Sequence, residues 1–188
     1  MAKISKFKPD DGKLKELILL VSLRSETDPT FGAVKLNKLL FNCDFASYLT
    51  YHKPITGQEY FALKQGPAPR RLLPVTKKMQ KRGDLAFKIV DYYGLVQKRP
   101  VALRAPNLSV FTPQEVALVD GIVQRWRGRN ATEISDRSHL FIGWKVAKLE
   151  ETIPYSTALI GFRKPTADEE KRGLALESRA VELLTHAS

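Results

Sequence analysis

Residues 31–50, FGAVKLNKLLFNCDFASYLT, constrain the fold more than any other part of the chain. Set out at about 100° per residue, Leu36, Leu39, Leu40, Cys43 and Ala46 fall on one arc. Val34, Phe41, Phe45 and Tyr48 fall on a second. Lys35, Lys38 and Asn42 share the remaining side, which is expected to face water. A helix with two apolar arcs is covered from two directions, so this one is expected at the centre of the fold. Asn37 and Asp44 lie together in the seam between the arcs. Polar groups there need hydrogen-bond partners, since burial without them costs free energy. For Asp44 an anchor that fastens the following loop is preferred, and a catalytic or ligand-binding carboxylate stays open.

The loop in question is unusual. Residues 55–74, ITGQEYFALKQGPAPRRLLP, hold two glycines and three prolines. Both residue types are costly inside regular elements, so the segment needs a defined backbone path. EYFALK reads as a short strand, and each residue before a proline in QGPAPR is pushed out of helical geometry. Pro69 is expected in the first turn of the next helix, which Gly83 ends. Before the central helix, Leu14, Leu17, Ile18 and Val21 recur at helical spacing and predict an amphipathic helix. Residues 85–105 predict a hairpin, with Leu85, Phe87 and Ile89 alternating and a turn near Tyr93 and Gly94; Pro100 argues for an edge position. Thr112, Pro113 and Glu115 form a capping-box start, followed by an inner stripe of Val116, Val119, Val123 and Trp126. Residues 130–147 predict one or two short helices, and IPYSTALIGF a closing apolar segment. The expected class is α+β, mainly α-helical: a compact helical domain around a central helix with a small antiparallel sheet. Residues 1–12 read as a lead-in, 13–165 as the domain and 166–188 as a C-terminal amphipathic helix.

Composition excludes some functions. With 43% hydrophobic and 27% charged residues the chain has an ordinary globular balance, and no apolar run approaches the roughly 20 residues that span a bilayer. A single cysteine, Cys43, excludes an internal disulfide and a cysteine-based zinc site. A cytoplasmic location is expected. The glycine-rich candidates fail as phosphate cradles, because the prolines of GPAP remove backbone donors. His52, His139 and His186 share no metal-ligand spacing. No cofactor or metal is expected. The formal charge is +11, and residues 64–82 carry seven basic side chains and no acidic one. Arg125, Arg127 and Arg129 form a second cluster. Such a field attracts nucleic acid, anionic lipid or an acidic protein, or merely solvates the surface.

Two stretches together resemble a known family. KLNKLLFNCDF followed by ITGQEYFALKQGPAP resembles the signature of the Panacea domain, the antitoxin domain of SocA-like and phage-associated proteins. SDRSHLFIGWKVAKLEETIPYSTAL resembles its later segment, with His139 ahead of Gly143 and Trp144 and an IPY after them. The resemblance covers roughly residues 13–160; Ala68, where valine is usual, and the basic balance are departures from the pattern. It implies a mostly helical domain that binds and blocks a toxin encoded next to it, in a type II-like toxin–antitoxin system. One mode it implies is that of a proteolytic adaptor to a AAA+ protease. The motif residues are Lys35, Asn37, Lys38, Asp44, Thr56, Gly57, Gly66, Pro67, Pro69, His139 and Trp144. Tyr60, Lys64, Arg70 and Arg71, expected to be exposed beside a rigid loop, are candidate toxin contacts. Equally, the motif can specify the fold alone, with the toxin gripped elsewhere.

Three functions follow as alternatives. A non-catalytic antitoxin leads. A basic nucleic-acid-binding regulator of its own operon comes second. Third is a carboxylate-dependent hydrolase built on Asp44 and Glu59.

Overall fold

The computed structural model describes residues 7–160 and, beyond them, 166–168, 171, 172, 174 and 175. Asp10 starts the first helix, α1 (Asp11–Arg24), its side chain accepting the Lys13 N–H at 2.8 Å; such a cap stabilises a helix by about 1 kcal/mol. Then come α2 (Ala33–Tyr51), β1 (Tyr60–Leu63), β2 (Gly66–Pro69), α3 (Leu72–Arg82) and the hairpin β3 (Leu85–Tyr92) and β4 (Leu95–Ala102). The chain continues through α4 (Pro113–Trp126), α5 (Ala131–His139), α6 (Ile142–Val146), β5 (Thr152–Ile153) and a 3-10 turn, Tyr155–Leu159. Both sheets are antiparallel: a three-stranded one in the order β2–β1–β5 and the separate β3–β4 hairpin. The architecture is the mainly helical α+β class expected from the sequence.

The central helix is α2, and its two arcs face two different cores. Leu36, Leu39, Leu40 and Cys43 join Leu17, Leu20, Met79 and Val119 in the larger cluster. Phe41 and Phe45 join Tyr60, Ala62 and Ile153 in a smaller aromatic one, with Phe141, Trp144 and Tyr155 packed against it. A fully buried leucine stabilises the fold by about 1.5–3 kcal/mol, and truncating Leu39 to alanine removes roughly 2–5 kcal/mol once the cavity is included. The expected capping box at α4 is present: Glu115 N–H donates to Thr112 Oγ1 at 3.2 Å and Thr112 N–H to Glu115 Oε2 at 2.9 Å.

Several expectations are corrected. Lys35 and Lys38 do not face water; they are 1% and 0% exposed. The Lys35 ammonium donates to Asp28 Oδ2 at 2.6 Å, to Thr30 Oγ1 at 2.7 Å and to the Arg129 carbonyl at 2.7 Å. Enough acceptors surround it to replace water. Val34, assigned to an inner arc, is exposed on the first turn of α2. Helix α1 is apolar nearly all round rather than amphipathic: Leu14, Leu17, Ile18, Leu19, Leu20 and Val21 are all buried. Its buried Glu16 is tolerated because Arg104 and the Asn107 N–H donate to its carboxylate. Pro69 ends β2 instead of opening α3, which starts at Leu72. The C-terminal amphipathic helix lies for the most part outside the described residues.

Candidate functional site

The loop between α2 and α3 is built onto α2 by two polar clamps. The first is Asp44, fully buried. Its Oδ1 accepts the Thr56 N–H at 2.6 Å. Its Oδ2 accepts the Thr56 hydroxyl and, at 2.8 Å, the Tyr60 hydroxyl. Burial pushes the Asp44 carboxyl up to about 6, against the opposing pull of the Thr56 and Tyr60 donors. Burial likewise pushes the Tyr60 phenol well above its ordinary value, with the Asp44 charge adding to it, so Tyr60 stays a donor.

The second clamp is Lys38 with Asn37. Lys38 Nζ donates to the Gln65 carbonyl and, at 3.4 Å, to that of Pro67; Asn37 Nδ2 donates to the Pro67 carbonyl at 3.3 Å. Burial pulls the Lys38 ammonium down to about 8. Gly66 makes this approach possible. Its φ is +94°, and a Cβ there would lie 2.5 Å from both Lys38 Nζ and Ser138 Oγ. Gly57, at φ +65°, has the Lys8 carbonyl 2.8 Å from where its Cβ would be. Both glycines are required by a left-handed backbone and a close neighbour at once.

The motif residues therefore converge, with one exception. Asn37, Lys38, Asp44, Thr56, Gly57, Tyr60, Gly66 and Pro67 form one anchored hairpin, in which Tyr60 pairs with Pro69. Trp144 Nε1 donates to the Leu63 carbonyl at 2.9 Å, and its ring stacks on His139 with centroids 4.2 Å apart. Lys35 does not join them; it serves the Asp28 turn before α2.

The candidate contact residues divide. Tyr60 is 1% exposed, so it cannot be the exposed anchor expected of it; its place in β1 points it inward beside Ala62. Lys64, Arg70 and Arg71 are exposed. Arg70 donates to the Glu150 carbonyl at 2.7 Å and lies 4.6 Å from the centre of the Phe61 ring, while Arg71 pairs with Asp11. Arg71 holds the Asp11 carboxyl below the usual carboxylate range. The chemistry proposed for Asp44 with Glu59 has no support in this geometry: Asp44 is sealed, and Glu59 is exposed, 3.9 Å from Arg70. Among the described residues no group of three or more His, Cys, Asp or Glu could hold a metal ion.

A family model described as antitoxin SocA-like, Panacea domain, matches residues 36–145, more than half of the chain. The chain belongs to this family. Neither the curated proteins nor the solved structures contain a match. The matched span of the Panacea domain runs from the second turn of α2 into α6 and holds both clamps of the hairpin. The packed unit extends past it on both sides: α1 contributes Leu14, Leu17 and Leu20 to the main core, and Ile153 and Tyr155 close the aromatic one. Among the described residues no helix is long and apolar enough to cross a membrane.

Sequence reasoning missed a second surface. Arg125, Trp126, Arg129 and Arg137 come together beside Asn42 at the meeting of α2, α4 and α5. The cluster of Arg125, Arg127 and Arg129 was visible as charge, but Arg137 enters from another helix and carried no signal of its own.

Proposed function

We propose that this protein is the antitoxin of a type II-like toxin–antitoxin pair, which neutralises a toxin encoded beside it by direct protein–protein binding. The observation that carries the reading is the match of an antitoxin family model over residues 36–145. The geometry supports it. The hairpin held by Asp44 and Lys38 is a rigid element, and a rigid surface loses little entropy on binding. Sequestration and delivery to a AAA+ protease both begin with this contact, and neither needs catalysis by the antitoxin. A cytoplasmic site of action follows from the same reading.

The test is growth. Expressing the adjacent open reading frame alone should arrest cells, and adding this protein should restore them. Absence of toxicity from either neighbouring frame, or toxicity that this protein does not relieve, contradicts the proposal.

A second reading, a nucleic-acid-binding regulator of its own operon, draws on the exposed side chains of Lys77, Lys78, Lys81 and Arg82 along α3. It predicts binding to operator DNA that weakens steeply with salt.

A further inference from the structure

Two adjoining clefts lie where α2, α4 and α5 meet. One, of about 460 Å³, has an apolar wall of Phe41, Trp126, Ile134, Leu140 and Phe141. The other, of about 350 Å³, is framed by Arg125, Arg129 and Arg137. Asn42, Trp126 and Arg137 belong to both, so an extended ligand can occupy the two together. Leu140 at the rim is 48% exposed.

Two of the charges there, Arg125 and Arg137, are uncommitted among the described residues. Arg24, Arg71 and Arg104 are each paired with a carboxylate elsewhere in the protein. Arg125 and Arg137 are exposed, and among the described residues their side chains have no hydrogen bond or ion pair. Glu133 is the one carboxylate among the described residues lining the clefts, and it is occupied. It accepts the Asn130 N–H at 2.7 Å and lies 3.8 Å from Arg129. Two free guanidinium forks beside an apolar cleft match carboxylates flanking a large apolar side chain. A half-buried tryptophan between arginines is also the composition of an interface hot spot.

We propose that this double cleft docks an acidic segment of the protein partner. A large apolar side chain seats against Phe41, Trp126 and Leu140 while carboxylates on either side of it pair with Arg125 and Arg137. The inference rests on the antitoxin reading and deepens it by naming the contact surface and the partner's chemistry. Nucleic acid fits less well, since the larger cleft, although Arg137 and Lys145 also line it, is walled mainly by the aliphatic and aromatic side chains of Phe41, Trp126, Ile134, Leu140 and Phe141. The β3–β4 hairpin, with Tyr93, Leu95 and Val96 exposed, is the rival surface, but its exposed charges are of mixed sign, Lys88 and Lys98 with Asp91.

The experiment compares full-length R125E/R137E with the wild-type protein and with Y93S/V96S. Each is co-expressed with the neighbouring gene product and assayed for growth rescue and for affinity by calorimetry. A thermal melt of each free protein confirms folding. The expected result is that R125E/R137E melts like the wild type, since neither arginine holds the fold, yet binds at least about 10-fold more weakly and fails to rescue. The R125K/R137K pair, which keeps the charge but loses the fork, should bind between the wild type and R125E/R137E, and Y93S/V96S should rescue fully. Wild-type affinity in R125E/R137E overturns this inference while leaving the antitoxin reading in place. So does loss of binding in Y93S/V96S alone. A wild-type protein that binds neither neighbour overturns both. A labelled oligonucleotide that loses binding in R125E/R137E, with the protein partner still bound, assigns the cleft to nucleic acid instead.

Discussion

Replacing Asp44 by asparagine tests the anchor at the centre of the hairpin. The change is nearly isosteric, and an asparagine oxygen can still accept the Thr56 N–H that now reaches Oδ1 at 2.6 Å. On the other side the amide nitrogen replaces the oxygen that accepts from the Thr56 and Tyr60 hydroxyls, both of which can rotate to accept instead. The loss at pH 7 is therefore expected to stay within about 1–3 kcal/mol, the range for one charge-assisted network weakened to a neutral one. The pH dependence is more diagnostic. Burial raises the Asp44 carboxyl from 3.8 to about 6 in the folded protein. A raised carboxyl binds its proton more tightly when folded, so its contribution is fully present below 3.8 and is lost as pH rises through about 6. Between pH 7 and pH 5 the wild type should gain about 1 kcal/mol relative to Asp44→Asn. Parallel urea titrations of both proteins across that range measure it, and the difference between them cancels the other carboxylates. A difference that is flat, or that shrinks as pH falls, refutes the reasoning. It would mean that the three donors outweigh burial.

Three further outcomes follow from the polar interior. Lys35→Met leaves the Asp28 carboxylate buried without its counter-charge and should cost about 3–5 kcal/mol in urea unfolding; a loss below about 1 kcal/mol would contradict the pairing. Gly66→Ala should destabilise far more than Gly83→Ala, because both glycines have positive φ but only Gly66 has neighbours at its Cβ position; equal shifts in melting temperature would show that backbone strain alone matters. Cys43 is fully buried, and burial raises its thiol well above the ordinary value, so it should resist a thiol reagent in the native protein and react on unfolding; fast labelling of the folded state would place it at the surface.

The elements that read correctly are those whose signals are local. Thr112, Pro113 and Glu115 announced the start of α4 within four residues, and the alternation of Leu85, Phe87 and Ile89 announced the hairpin. The position of Asp44 in the seam of a doubly covered helix favoured a loop anchor, with a ligand-binding carboxylate left open, and its hydrogen bonds to Thr56 and Tyr60 hold the loop. What failed depended on distant partners. A helical wheel scores Lys35 and Lys38 as exposed, and nothing in α2 reveals that Asp28, the Arg129 carbonyl and the carbonyls of Gln65 and Pro67 converge on them. Tyr60 was misplaced because the phase of β1 depends on β5, a two-residue strand about 90 residues later in the chain, too short to leave a pattern. The double cleft was hidden for the same reason: Arg125 and Arg137 come from different helices, and their lack of an ion pair among the described residues exists only in three dimensions.

The central claim is that this protein binds a neighbouring toxin directly. The most direct measurement is gel filtration with light scattering on the co-expressed pair at about 0.5 M salt, where exposed charge contacts are largely screened. The account predicts one complex of fixed stoichiometry that persists at that ionic strength. Two proteins that elute separately, or a protein that loses only bound nucleic acid as salt rises, would contradict it.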